Sequence, residues 1–387
     1  MKWRSVVRPG HARVSGGWRA LPVVCAVVTL VMAVCGGSQS ALQPLAHPAP
    51  VAFAAVASSP TATATPAPAP IAAYDAYATG QTTAHSLLGP AAWAWRGTLP
   101  GARVILYFGV VGAPTAGVIG WYGGDENGLL NQLRNQAQQY SLADPTHPVM
   151  MGLDLVDPLA DALPQQDGLY VDRMDPATIQ HYVDLTRQNH MLLFFDMQIE
   201  RSTVQRELSY LWPYLQLPWV HLALDPEWDQ SHNGQEAACV PFVFNPDFTG
   251  RSYASEINYL IDQLSTLSIS RHLPPKTLII HQYLFGENPA NYGYCDSVPS
   301  EGWQNIHLKP GVNLVVNTDG VGSSLYGGPS AKISDYTAFD QQQHIQYAGI
   351  KMYYYYAGLA PNFYDDPIMT PQQVLSLNPS PLLIMYQ

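Results

Sequence analysis

The sequence predicts an α/β fold, a single (β/α)8 barrel of the TIM type. Three observations predict it. Eight β-rich runs alternate with helical ones over about 285 residues from Arg103 onward. Eight is the strand number of a closed parallel barrel. Several runs turn from apolar to polar at their C-terminal ends, where the loops of a barrel converge on its active site. A doubly wound open sheet is the alternative topology.

The strand candidates, in order, are "RVILYFG", "PVMMGLDL", "MLLFFDMQ", "VHLALDPE", "TLIIHQYLF", "VNLVVNTDG", "AGIKMYYYY" and "PLLIMYQ". Helices are expected between them. "ENGLLNQLRNQAQQY" places Leu129, Leu130, Leu133 and Ala137 on one face. "DPATIQHYVDLTRQNH" opens with Asp175 as N-cap and Pro176 at the first helical position. "STVQRELSYLWPYL" offers a Ser202/Gln205 capping box. "SEINYLIDQLSTL" supplies the helix before the fifth strand. "TPQQVLSL" has Thr370 as cap, Pro371 after it and Gln373 closing the box. The chain stops at the eighth strand, so the usual last helix is expected to be missing. The segment Ala91–Trp95 is expected to help close the bottom.

Three regions are expected. Residues 1–35 form an export segment, 36–100 a Pro/Ala/Thr-rich linker and lead-in, and 101–387 the barrel. Lys2, Arg4, Arg8, Arg13 and Arg19 precede "ALPVVCAVVTLVMAVC", an apolar run of 16 residues. That is shorter than the ~20 residues of a membrane span. "VMAVCGGS" is similar to a bacterial lipoprotein cleavage box that would lipidate Cys35, although Val34 stands where the box has Gly, Ala or Ser. Signal cleavage near Ser38–Ser40, or an uncleaved anchor, is the alternative. "AHPAPVAFAAVASSPTATATPAPAP" lacks periodicity and reads as a semi-extended tether. The expected place is outside the cytoplasm, as a surface lipoprotein, a membrane-anchored protein or a secreted one. Membrane contact is expected only through the N-terminal anchor. Cys239 and Cys295 are the cysteines of the folded part, and export favours a disulfide over two buried thiols. A bridge would pin the long segment after the fourth strand beside the acids.

The net charge is −11, and no Lys/Arg cluster follows the N-terminus. Nucleic acid is thereby excluded as a partner, because phosphate binding needs clustered cations. A monomer is expected. The 23 tyrosines and 9 tryptophans supply faces suited to sugar rings, besides filling cores.

Side chains alternate along a strand, so one parity faces the barrel interior. In the fourth strand His221, Ala223, Asp225 and Glu227 share that face, while Leu222 and Leu224 turn to the helices. The second strand sends Asp154 inward with Gly152, and the third Asp196 with Gln198. The fifth offers either His281 with Tyr283, or Gln282. The sixth sends Asn317 and Asp319, the seventh Lys351, Tyr353 and Tyr355. Any one of these acids could be a turn former or helix cap, the role that suits Asp229. Their coincidence at one end marks a functional cup, since buried charge is costly unless paired and a fold would not gather it for stability alone.

Crowded carboxyls raise one another's pKa, and burial raises a Glu further. A raised Glu protonates a leaving oxygen while an ionised Asp steadies positive charge, the division of labour in glycosidic hydrolysis. Glu227 is expected to be the acid and Asp225 its partner, with Asp196 or Asp154 as nucleophile, base or orienter. Asp319, Lys351, Tyr353, Tyr355, His281, Gln282 and Gln198 would bind sugar hydroxyls, and Trp228, Trp121 and Trp303 would stack on rings.

"LALDPEW" resembles the Asp-x-Glu that ends the fourth strand in family-18 chitinases and family-25 lysozymes, barrels acting on amino-sugar polymers. The resemblance implies Glu227 as catalytic acid and Asp225 as helper. Ala223 stands where chitinases carry a further Asp, and the seventh strand lacks a Glu, so paired glutamates on strands four and seven are not available. The order of "DMQIERSTVQREL", "HLALDPEW", "LIIHQ", "AGIKMYY" and "IMYQ" resembles uncharacterised exported barrel proteins and lipoproteins of bacteria, which brings no activity with it.

The expected function is hydrolysis of a cell-wall or environmental polysaccharide, without a cofactor. Two classes compete with it. One is a metal-dependent hydrolase using Asp225, Glu227, His281 and Asp319, although no His-x-His or His-Glu-x-x-His pattern supports it. The other is a surface protein that binds glycan without turning it over. A Schiff-base lyase through Lys351 is disfavoured, because neighbouring acids keep that lysine charged.

Overall fold

The computed structural model describes residues 91–161, 163–229, 254–283, 303–323, 327–343, 345–355 and 364–387. Ten strands lie in chain order: β1 (Arg103–Gly109), β2 (Val149–Val156), β3 (Leu159–Ala160), β4 (Val171–Asp172), β5 (Leu192–Met197), β6 (Val220–Leu224), β7 (Lys276–Tyr283), β8 (Val312–Asp319), β9 (Tyr347–Met352) and β10 (Leu383–Tyr386). Eight of them close a barrel in the order β1-β10-β9-β8-β7-β6-β5-β2, and each neighbouring pair is parallel. β1 pairs with β2 on one side and β10 on the other, which rules out the open sheet. The eight barrel strands are the eight expected ones. β3 and β4 form a small antiparallel pair beside them.

Seven helices are described: α1 (Val118–Trp121), α2 (Glu126–Ala143), α3 (Pro176–Gln188), α4 (Val204–Leu215), α5 (Ala254–Ser270), α6 (Gly328–Gln343) and α7 (Pro371–Leu375). Their starts follow local chemistry. Asp175 caps α3 by accepting from Ala177 and Thr178 backbone N–H groups, with Pro176 in the first turn. Thr370 and Gln373 close the capping box of α7. The box expected at Ser202 is corrected: Thr203 caps α4 by accepting from Arg206 N–H. Ser202 donates instead to the buried Glu207 carboxylate, which also receives Arg173 through two nitrogens at 2.7 and 2.6 Å.

The bottom of the barrel is sealed as the sequence suggests. A 3-10 helix, Ala92–Gly97, brings Trp93 to within 5.3 Å of the His190 ring, stacked, and 5.8 Å of Trp219. Arg103 pairs with Asp144 at 2.9 Å. Lys276 is wholly buried and donates to the carbonyls of Leu217 and Val220 at 2.6 and 2.9 Å. α2 packs against β1 and β2 and reaches β10 through side chains that meet Tyr386. Tyr140 and Tyr386 share a hydroxyl contact of 2.8 Å, and Gln136 bridges Tyr386 to Tyr354 at 3.1 and 2.7 Å. No helix of the described residues is long and apolar enough to cross a membrane.

Two inward glycines let strands approach closely. A Cβ on Gly152 would stand 2.5 Å from Leu106, and one on Gly349 would stand 2.9 Å from the Asn317 side-chain oxygen. The second vacancy is what seats Asn317 in the layer below the cup.

Candidate active site

The C-terminal ends of six barrel strands converge on one polar cup. Asp154 comes from β2, Asp196 from β5, Asp225 from the end of β6, His281 from β7, Asp319 from β8 and Lys351 from β9. All six are buried. Glu227 follows Asp225 in a 3-10 turn, Pro226–Trp228, and is the one carboxyl of the five that keeps contact with solvent.

Asp319 is the hub. Its Oδ2 accepts from His281 Nδ1 at 3.0 Å and from Lys351 Nζ at 3.1 Å, and its Oδ1 accepts from Asn317 at 2.9 Å. Lys351 also sits 3.9 Å from the centre of the Phe108 ring. His281 Nε2 points the other way, 3.5 Å from Asp196 Oδ2 and 3.9 Å from Asp154 Oδ2. Gln198 donates to Asp225 Oδ2 at 3.2 Å and accepts from Ala160 N–H at 3.3 Å, so β3 helps to fix it.

Electrostatics divide these groups. Burial would raise Asp319, but Lys351 and His281 outweigh it and hold this carboxyl below the ordinary range. Burial would likewise lower Lys351 and His281. The surrounding carboxylates, Asp319 first for the lysine and Asp196 first for the histidine, keep both charged, with His281 at about 10. The other acids go up. Burial pushes Asp154 to about 7, against the pull of His281 and Lys351. Burial also raises Asp225 and lifts Asp196 well above the usual range. Glu227 is raised well above its usual range, by burial first and then by Asp225 and Asp319. Five carboxyls against two cations leave three without a counter-charge, and in so buried a cup this imbalance favours their protonated forms.

The cup gathers Asp154, Asp196, Asp225, Glu227, His281, Asp319, Lys351 and Gln198. Between the two options for the fifth strand, His281 faces inward. Gln282 takes the opposite face, accepting from the Trp303 indole N–H at 3.2 Å, and so leaves the set of cup residues. Trp303 is 6% exposed and packs edge-on to Phe339, so it offers no stacking face. Tyr353 is buried, with Lys332 Nζ 5.0 Å from its ring centre. Tyr355 is 67% exposed and meets Tyr364 edge to face, outside the cup. Trp121 ends α1 and is 47% exposed, while Trp228 is half-buried beside Glu227. Asp229 caps the turn that carries Glu227. Cys35, Cys239 and Cys295 lie outside the described residues.

Three contributors were not foreseen. Phe108 shares the inward parity of β1, and alternation along that strand would have found it. Glu200 is buried in a left-handed conformation at φ 44°, its N–H bonded to Trp228 carbonyl at 2.6 Å and its carboxyl pushed by burial to about 8. Lys332 and Asp365 form a buried pair at 2.7 Å beside Tyr353. No local sequence signal marks the last two.

No protein-family profile matches the sequence. No curated protein matches it either. Among solved structures it is similar to a chain described as GH26C from Muricauda sp. MAR_2010_75, at 9% identity and a TM-score of 0.33, covering 77% of this chain and 82% of that one. The barrel rests on its strand pairing and takes nothing from so loose a likeness.

Proposed function

We propose that the protein hydrolyses glycosidic bonds, with Glu227 as the proton donor. One observation carries this reading: Glu227 is the solvent-reaching carboxyl of a buried acidic cup, where burial, then Asp225 and Asp319, push its pKa well above the usual range. A protonated carboxyl at a barrel mouth can donate to the bridging oxygen of a glycoside near neutral pH. As the bond from the anomeric carbon to that oxygen breaks, positive charge develops on the sugar. Asp225, held by Gln198, is the nearest acid in sequence to steady it. Water supplies the hydroxyl to the anomeric carbon and returns a proton to the carboxyls. Asp154 and Asp196 are wholly enclosed, so in this reading they orient and charge the cup rather than attack the sugar.

Trp228 and Trp121 stand at the mouth side and suit stacking on sugar rings. The N-terminal basic and apolar segment supports a site of action outside the cytoplasm, with a cell-wall or environmental polysaccharide as the substrate.

The test is release of reducing sugar from a panel of polysaccharides and chromogenic glycosides. Glu227→Gln should lower turnover by about 10²–10⁴-fold while glycan binding persists. Wild-type turnover in Glu227→Gln sinks the assignment. A wild type that binds a glycan tightly and turns over none is a binding module instead.

A further inference from the structure

Beneath Glu227 and Asp225 lies a second constellation whose groups neither donate the proton nor attack the sugar in the proposed hydrolysis. We propose that Asp154, Asp196 and His281 form a site for one divalent first-row metal ion, zinc by preference. Their nearest ligand atoms all lie within 4.8 Å of one another, and all three residues are wholly buried.

Four carboxylate oxygens, two on Asp154 and two on Asp196, have no hydrogen-bond partner among the described residues, and neither has His281 Nε2. Leaving that many buried polar atoms unmatched is costly, and a common partner removes the cost. The spacing says what kind of partner. A charge-assisted N–H···O bond would close to about 2.7–2.9 Å. The observed gaps from Nε2 are 3.5 and 3.9 Å. Two ligands on one ion, bonded at about 2.0–2.2 Å and set at tetrahedral or right angles, stand roughly 3.0–3.5 Å apart. The gaps match ligands around a shared centre, drawn in by a few tenths of an ångström.

The histidine is also prepared for this role. Its Nδ1 is engaged by Asp319 at 3.0 Å, which fixes the ring and turns Nε2 towards Asp154 and Asp196. This carboxylate–imidazole arrangement is the usual outer support of a metal-binding histidine. Asn317 and Lys351 hold Asp319 in turn, at 2.9 and 3.1 Å. One nitrogen and two carboxylates suit zinc or manganese, whereas calcium and magnesium favour all-oxygen sets. Three protein donors leave at least one position for water. The ion would take the place of the proton on His281 Nε2 and of protons on the raised carboxyls, so binding should release protons.

The test of the site is separable from that of glycoside hydrolysis. The full chain, stripped with chelator and dialysed, is titrated with zinc chloride by calorimetry, with calcium chloride as control. One zinc per chain is expected, with Asp154→Asn and His281→Gln each weakening it at least tenfold and Glu227→Gln leaving it unchanged. Cobalt(II) on the wild type should give the intense visible bands of a four- or five-coordinate ion, a readout that needs no variant to fold. A stripped wild type that takes up no zinc, a cobalt spectrum equal to that of the aqueous ion, or wild-type zinc affinity in both variants overturns the site. None of these results touches the role of Glu227, which turnover alone decides.

Discussion

At the scale of single residues, burial decides which charges matter. Lys276 begins β7 at the bottom of the barrel, and desolvation pulls its ammonium down to about 7. The unfolded chain holds that proton up to about pH 10.4. Between those values the unfolded state binds more protons than the folded one, so stability rises with pH across the window and is lost as pH falls to 7. Lys276→Met removes this dependence. The melting temperature of the wild type relative to Lys276→Met should climb by several degrees from pH 7 to 10, and a constant difference would refute it. This residue was not legible in the sequence. "KTLIIHQ" shows a polar residue at a strand edge, and only the carbonyls of Leu217 and Val220 reveal that it is enclosed. Asp225 was legible, because parity along one unbroken strand needs no knowledge of neighbours. His281 and Gln282 were not separable, since both parities of that run are plausible until β8 fixes the register.

At the scale of elements, local signals read well and long-range polar ties do not. The capping box of α7 and the cap of α3 stand where the sequence puts them, because caps are made within one turn. The start of α4 shifts by one residue because the distant Glu207–Arg173 pair claims Ser202. The Lys332–Asp365 pair is another such tie. Asp365 accepts Lys332 at 2.9 and 2.7 Å, Gly322 N–H at 2.6 Å and Tyr353 N–H at 2.9 Å. One carboxylate thus joins α6, the turn after β8 and the end of β9. Asp365→Ala leaves a buried ammonium and two amides unmatched, and should cost roughly 3–5 kcal/mol. Urea unfolding measures it, and a loss below about 1 kcal/mol would show that the pair is dispensable.

At the scale of the whole molecule, the barrel was legible because its signal repeats: eight apolar runs, several with a polar end. The polar ends also foretold the cup. They did not foretell its order of charge, which depends on which strands are neighbours. β8 lies between β7 and β9, and this adjacency lets Asp319 hold His281 and Lys351 together. The proton on Glu227 is therefore governed by the field of several strands. Burial raises its pKa first, Asp225 from β6 and Asp319 from β8 raise it further, and Lys351 from β9 and His281 from β7 lower it. If Glu227 is the donor, activity falls as pH rises through that value. Asp225→Asn removes a neighbouring negative charge, so the alkaline limb of kcat should move to lower pH. Lys351→Met removes a positive one, so the limb should move to higher pH. Structural damage lowers the rate in both variants but has no reason to shift the limb in opposite directions. pH profiles of the two variants beside wild type decide it, and limbs that stay together would mean that Glu227 does not carry the transferred proton.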